Sequence, residues 1–350
     1  MRVDDLRVAI IGYGLAGRAF HAPFVEAADG LSVGAVVTGS AERAAEVGRR
    51  YPDATVLSTV DELWRRSDID VVVVASPNRF HVEQARAALD AGMAVVVDKP
   101  VAATGAEIRD LVERSERAGR MLTVYQNRRW DGDFRTVRRL VADGDLGEIG
   151  RFESRFERAS RKARTSWKVS ADPADLADIL YDLGSHLVDQ AVVLFGKPVS
   201  VHAETRSPNP AAPVAQDATV LLTHANGVRS YLRMSSVTMP VAPRFIVVGA
   251  DAGYRGWGLD PQEKASVEGT LPTDAGFGEY PESQWGEVLT DDGVRKVPTE
   301  KGDYLAFYQA VSACVRGDGP PPVPPAESVV VVDTLEAALR SAATGVPVEL

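Results

Sequence analysis

Cysteine is almost missing from this 350-residue chain, with Cys314 standing alone. One thiol closes no internal disulfide, so the fold rests on its own core, as expected in a reducing, cytoplasmic compartment. No apolar run reaches the roughly 18 residues of a membrane-spanning helix. The opening residues, MRVDDLRVAI, carry two aspartates and lead straight into a strand-like segment, unlike a secretory leader. A basic excess is missing as well. The 39 Lys and Arg stand against 49 Asp and Glu, a formal net charge of −10, which argues against a nucleic-acid face. The 45% hydrophobic content excludes a disordered or collagen-like chain. At roughly 150 residues per domain, the length suggests about two cores.

Lysine is scarce too. Only seven of the 39 basic residues are lysine, and Lys99 is the only one before Lys162. A GC-rich genome that favours arginine codons explains the general bias. Lys99 can still be kept for something arginine does not do. Histidine is also sparse, and His21, His81, His202 and His224 are too scattered for a zinc set, so no metal is expected.

The first 125 residues alternate apolar β-branched runs with helix-like stretches. The runs are Leu6–Ile11, Leu31–Val37, Val71–Ala75, Ala94–Val97 and Leu122–Tyr125. The helix-like stretches are Ala16–Ala28, Ala41–Arg50, Val60–Ser67, Phe80–Ala91 and Gly105–Ala118. Continuous apolar strands between helices indicate an α/β unit, a doubly wound parallel sheet covered on both faces. After a connecting helical segment at 126–145 the pattern changes. Residues 146–350 read as an α+β unit with a largely antiparallel sheet, including strands at Ile149–Phe156, Val199–Thr205, Ala218–Thr223, Val228–Ser236 and Phe245–Gly249. Asn226-Gly227 is a hairpin signal. Helices are expected at Asp172–Leu194, Tyr304–Val315 and Ser328–Ala342, the last two joined by a stiff proline-rich connector at 319–325.

Gly12-Tyr13-Gly14-Leu15-Ala16-Gly17 directly follows the first strand and opens a helix. In that context G-x-G-x-x-G is a dinucleotide fingerprint. Gly12 permits the turn, Gly14 the approach of a pyrophosphate, and Gly17 close helix–strand packing, with the helix N-terminus facing the phosphates. At the end of the second strand, where an acid would bond an NAD ribose, the chain reads Val37-Thr38-Gly39-Ser40-Ala41-Glu42-Arg43. Small hydroxyls at Thr38 and Ser40, with Arg43 able to pair with a 2′-phosphate, favour NADP(H) over NAD(H). Arg43 is otherwise an ordinary solvated helix residue.

Lys99, in Asp98-Lys99-Pro100, lies just past the carboxyl end of a core strand, where open α/β sheets bind ligands. An amine near like charge and away from water gives up its proton more readily, and can exchange one with a substrate hydroxyl as arginine cannot. Further on, Asp182 and His186 stand at i and i+4 in a helix-like segment, so they are expected on one face. A carboxylate there would raise the imidazole's basicity and orient it, with Asp189 as a further partner. Taken alone, the same spacing also describes an ordinary helix ion pair.

In this order the fingerprint, Ser76-Pro77-Asn78 with His81, Asp98-Lys99-Pro100, and D-x-G-x-H at 182–186 resemble the glucose-fructose oxidoreductase / inositol dehydrogenase / rhizopine catabolism (Gfo/Idh/MocA) family. The strings GLAGRAFHAPF, QNRRWDGDF, YDLGSHLVDQ and GLDPQE resemble its scyllo-inositol dehydrogenase-like branch. The resemblance implies an N-terminal Rossmann domain (1–125) and a C-terminal open-faced sheet domain (146–350) that binds substrate and assembles homodimers or homotetramers. It places Lys99, Asp182 and His186 around a substrate alcohol, with His186 as general base assisted by Lys99. It puts Ser76, Pro77, Asn78, His81, Asp98 and Lys99 beside the cofactor and Asn127 at the mouth of the site. Trp130, Trp167 and Tyr181 are either pocket walls or core. Asp98 departs from the commoner glutamate, and Ala177–Leu180 from a glycine-rich lead, which leaves the substrate's identity open.

The implied activity is hydride transfer between NAD(P) and a cyclitol, polyol or sugar alcohol. A dinucleotide-sensing regulator of the same fold, or a reductase of another carbonyl or imine, are the alternatives. The basic residues of 151–168 (Arg151, Arg155, Arg158, Arg161, Lys162, Arg164 and Lys168) form either a solvated strand face or a wall suited to an acidic substrate.

Overall fold

Valine dominates the first sheet. Val71–Val74 and Val95–Val97 are fully buried, as strands covered on both faces require. The computed structural model describes residues 5–159, 170, 172–208 and 212–350. Strands β1 (Leu6–Ile11), β2 (Leu31–Val37), β3 (Thr55–Leu57), β4 (Val71–Val74), β5 (Ala94–Asp98) and β6 (Leu122–Tyr125) form a parallel sheet in the order β3-β2-β1-β4-β5-β6. Alternate residues serve opposite faces. Val8, Ile10, Val71, Val73 and Val96 pack with α1 (Ala22–Ala27) and α2 (Ala41–Arg50). Ala9, Ile11, Val72, Val74, Val95 and Val97 pack with α3 (Val60–Leu63), α4 (His81–Asp90) and α5 (Gly105–Ala118). The order reverses between β1 and β4, so a crevice opens past their carboxyl ends.

The second half comprises α6 (Gly132–Ala142), β7 (Ile149–Glu157), α7 (Ser185–Phe195), β8 (Pro198–Arg206), β9 (Asp217–His224), β10 (Arg229–Ser235), β11 (Phe245–Gly249), β12 (Gly253–Gly256) and α8 (Pro261–Glu268). It continues with β13 (Gly286–Thr290), β14 (Gly293–Val297), α9 (Tyr304–Arg316), α10 (Pro325–Thr344) and β15 (Val348–Glu349). Among the described residues its nine strands run β14-β13-β12-β11-β7-β10-β9-β8-β15. All neighbours are antiparallel except β7 and β10. Phe152, Phe156, Val201, Val220, Leu222, Leu232, Phe245 and Val247 turn one way and share a core with α7 and α10. The residues between them, such as Glu153, Arg155, Leu221, Tyr231 and Ile246, leave the other face half-exposed. Gly227, at φ +85°, makes the β9–β10 turn.

Three differences from the sequence expectation stand out. The helix expected over Asp172–Leu194 begins only at Leu180, with a π turn at Leu180–Gly184 before α7. The short strands β3 and β12–β15, and helix α8, escape hydrophobic periodicity because several have too few core residues to show it. The chain also returns to the first sheet late. Helix α9 inserts Tyr304, Phe307, Tyr308 and Val311 beside α1. Val323 of the proline-rich connector is pinned to β6 by two hydrogen bonds with the Thr123 hydroxyl, at 3.0 and 3.2 Å.

Candidate active site

The three glycines of the fingerprint meet three different surroundings. Gly12 sits at φ +93°, and a Cβ there would lie 2.6 Å from the Ala75 carbonyl oxygen just past β4. A Cβ at Gly17 would overlap the Gly12 carbonyl oxygen. Both are packing requirements. At Gly14 a Cβ would meet nothing within 4 Å. That open space beside the main chain fits an approaching pyrophosphate. The Tyr13 side chain is buried in the core, so this residue offers a ligand only its backbone, whereas Leu15 is 45% exposed and Ala16 half-buried.

Past β2, the Thr38 hydroxyl accepts from Ser40 N at 3.3 Å, and the Ser40 hydroxyl caps α2 by accepting from Arg43 N at 3.4 Å. No carboxylate stands in residues 37–41, and Arg43 is exposed on the first turn of α2. Past β4, Ser76 donates to Gln84 Oε1 at 2.7 Å, and the half-buried Pro77 leads into Asn78, whose amide donates to the Asp175 carbonyl at 2.9 Å. Arg79 bonds Asp175 at 2.6 Å and Asp172 at 3.0 Å, tying this loop to the second half of the chain. His81, expected to line the cofactor's ribose, is only 1% exposed. Its ring nitrogens each lie 2.9 Å from a carbonyl oxygen, of Ser76 and of Pro100, so it joins the two strand-end loops instead.

Lys99 follows β5 and precedes a cis bond to Pro100. Its Nζ donates to the Asp182 carbonyl oxygen at 2.7 Å and to Asp182 Oδ1 at 3.2 Å. Arg158 Nη2 stands 3.6 Å from Asp182 Oδ2. The expected contact between Asp182 and His186 is not made. His186 has no hydrogen bond among the described residues, and its Nδ1 is buried without a partner. The π turn is wider than an α turn, so residue 186 no longer stacks on residue 182. Asp182 instead meets two cations. The imidazole is therefore not made more basic. Burial first, then Lys99, Arg128, Arg244 and Arg158, push it well below its ordinary range, and it is neutral at pH 7. Asp189 is likewise not a partner of His186, because it binds Arg129 through two bonds at 2.6 and 2.8 Å.

Of the remaining candidates, Tyr181 belongs to the core and donates to the Ala103 carbonyl at 2.6 Å. Trp130 is half-buried, edge-on to Phe307 with ring centres 5.4 Å apart. Asn127 is half-buried two residues past β6. Trp167 lies outside the described residues, as do Arg161, Lys162, Arg164 and Lys168. Arg151 and Arg155 pair with Glu153 on their own strand, while Arg158 reaches Asp182.

An ionic floor that the sequence reading missed lies close by. Arg128 pairs with Asp131 at 3.1 Å and with Glu263. Arg244 donates to Ser154 Oγ at 2.5 Å and to Gln190 Oε1 at 3.1 Å, with its guanidinium 4.1 Å from the centre of the Phe245 ring. Asp260 accepts from Gly132 N, Gln262 N and the Tyr280 hydroxyl at 2.8–3.0 Å. Burial pushes Asp131 and Asp133 up to about 7, against the pull of Arg128 and Arg244. The polar strings QNRRWDGDF and GLDPQE were the available signal for Arg128, Asp131, Asp133, Asp260 and Glu263.

Comparison with known proteins agrees with this architecture. Residues 6–126 match the oxidoreductase family with an NAD-binding Rossmann fold (GFO_IDH_MocA), and residues 138–350 match the C-terminal alpha/beta domain of the same family. The chain is 35% identical to the uncharacterized oxidoreductase YdgJ of Escherichia coli, over 97% of each protein. It is 32% identical to the scyllo-inositol 2-dehydrogenase (NADP(+)) IolW of Bacillus subtilis, over 97% of this chain and 94% of the relative. The solved structure of the oxidoreductase yvaA from Bacillus subtilis superposes with a TM-score of 0.92 at 30% identity, covering 99% of this chain and all of that one. With both halves of the chain matched in order, the protein belongs to the Gfo/Idh/MocA oxidoreductase family.

Proposed function

We propose that this protein is an NAD(P)-dependent oxidoreductase acting on the secondary alcohol, or the corresponding ketone, of a cyclitol, polyol or sugar of the scyllo-inositol type. The reading rests on one observation above the others. A lysine held by Asp182 and a neutral, unpartnered imidazole, His186, share one electrostatic neighbourhood past the carboxyl edge of the first sheet. A bound nicotinamide supplies the hydride acceptor at its C4, and the residues supply proton management and position. His186, being uncharged, takes the hydroxyl proton. Lys99 donates a hydrogen bond to the same oxygen, and its charge, with those of Arg128, Arg158 and Arg244, stabilises the negative charge that develops there. Asp182 orients Lys99 and accepts from a neighbouring substrate hydroxyl. Asn127 and Trp130 complete the proposed pocket.

For the cofactor, the backbone at 12–17 would hold the pyrophosphate. Thr38, Ser40 and Arg43 would hold a 2′-phosphate, which favours NADP(H) over NAD(H), and Ser76, Pro77, Asn78 and Asp98 would flank the nicotinamide ribose. The similarity to IolW, a scyllo-inositol 2-dehydrogenase (NADP(+)), supports both choices. The half-exposed face of the nine-stranded sheet is the proposed surface for a homodimer or homotetramer. Absorbance at 340 nm, with scyllo-inositol, myo-inositol, glucose and xylose offered against NADP⁺ and NAD⁺, tests the proposal. Reduction of NADP⁺ by at least one cyclitol or sugar is expected. Tight NADPH binding with no turnover across the panel would replace it with the sensor reading.

A further inference from the structure

Behind Lys99 lies a buried chain of polar groups drawn from three separate elements. Its first member is His21, fully buried at the end of the π turn Gly17–His21. Pro23, two residues on, has no N–H to offer the Ala19 carbonyl, and its ring would crowd that carbonyl in a regular α-helix. The wider π turn relieves both problems within one helical run. His21 then lies against Tyr125, with ring centres 4.5 Å apart.

His21 Nδ1 is 2.5 Å from the Tyr308 hydroxyl, on α9. His21 Nε2 faces Asp98 Oδ2 at 3.5 Å, at the end of β5. The other carboxylate oxygen, Asp98 Oδ1, accepts from the backbone N–H of Lys99 at 2.8 Å. Two proton arrangements fit these contacts, a neutral ring that accepts from Tyr308 at Nδ1 or an imidazolium that donates to it. In both, Nε2 carries a proton that faces the Asp98 carboxylate without closing a hydrogen bond, so that contact is electrostatic. Burial alone would raise the Asp98 carboxyl, but His21, His81 and Lys99 outweigh it and hold Asp98 below its ordinary range, so it stays an anion. His81 braces the same turn from the other side through the Pro100 carbonyl.

We propose that His21 and Tyr308 are positioning residues, forming with Asp98 a buried relay that fixes the turn carrying Lys99. The tyrosine comes from α9 and the other two members from the dinucleotide-binding half. The relay therefore makes the setting of Lys99 depend on how the late helix docks. A displacement of about 1 Å at a reacting group can cost roughly a hundredfold in rate. The catalytic meaning of this role rests on the function assigned to Lys99 above, but the positioning itself can be read without turnover.

Reductive methylation with ¹³C-formaldehyde gives each of the seven lysines a dimethylamino resonance, and Lys99→Arg identifies that of Lys99. Tyr308→Phe, which removes only a hydroxyl, and His21→Leu are expected to move the Lys99 resonance while leaving those of Lys264 and Lys301 in place. His21→Gln, which keeps an N–H able to reach Asp98, is expected to restore most of the shift. In the unmethylated enzyme, kcat with scyllo-inositol is expected to fall roughly tenfold in His21→Leu, while KM for NADP⁺ stays within about twofold. A Lys99 resonance unmoved in both variants overturns the proposal, whether or not scyllo-inositol is a substrate. So does an unchanged kcat in His21→Leu of an enzyme that does oxidise it.

Discussion

Replacing Asp189 with asparagine removes one side of a deeply buried ion pair. Arg129 and Asp189 are 6% and 1% exposed, and their bidentate bonds measure 2.6 and 2.8 Å. A third contact joins Arg129 to Glu327 at 2.6 Å, so the guanidinium links the segment after β6 to α7 and α10. Stripping one partner from a buried pair costs about 3–5 kcal/mol, because the remaining charge keeps its desolvation penalty without its Coulombic return. An unfolding entropy of about 2.1 cal/mol/K per residue over this length turns that cost into a drop in Tm of roughly 4–7 °C. Glu327, 40% exposed, offsets little of the loss because water screens it. Circular dichroism melts of wild type and Asp189→Asn at low and high salt measure the effect. Arg129→Met with Asp189→Leu should lose less than Asp189→Asn alone, since it leaves no orphaned charge. A Tm within 1 °C of wild type in Asp189→Asn, or a double variant worse than the single, would refute the reasoning. The pH profile of turnover should not change, because Asp189 does not touch His186.

Three further outcomes are expected. Gly14→Ala should fold with near wild-type Tm yet lose dinucleotide affinity, whereas Gly17→Ala should lose soluble expression, because its Cβ overlaps a backbone carbonyl; tryptophan fluorescence titrated with NADPH separates the two. Arg43→Ala should raise KM for NADP⁺ about tenfold and leave that for NAD⁺ within about twofold. Asp131 and Asp133 keep their protons in the folded protein up to about pH 7, while unfolded carboxyls release them near pH 4. Their stabilising contribution is complete below about pH 4 and is lost as pH rises through 7, so Asp133→Asn should flatten the fall in Tm between pH 5.5 and 8.

The parallel sheet was legible because its strands are continuous valine runs and its glycines serve a strand-to-helix turn. The place of Lys99, just beyond a core strand, was legible from the apolar run before it. The Asp182–His186 relation was misjudged because i,i+4 spacing presumes α geometry, and no periodicity rule reveals a π turn. His81 was assigned to the cofactor by its neighbours, while its burial depends on how two loops meet. Arg128, Arg244 and Glu263 were out of reach for a different reason. They come together only when β6, β11 and α8 converge, residues 128 and 263 being 135 positions apart in the chain.

Turnover of Lys99→Arg bears most directly on the central claim. Arginine keeps the charge and can still pair with Asp182, but its broad planar guanidinium cannot place a compact point charge and a single N–H on the substrate oxygen as the Lys99 ammonium does. With scyllo-inositol and NADP⁺ followed at 340 nm, wild type is predicted to turn over. Lys99→Arg should lose at least about a hundredfold in kcat while binding NADPH within about threefold of wild type. Wild-type kcat in Lys99→Arg would contradict the account.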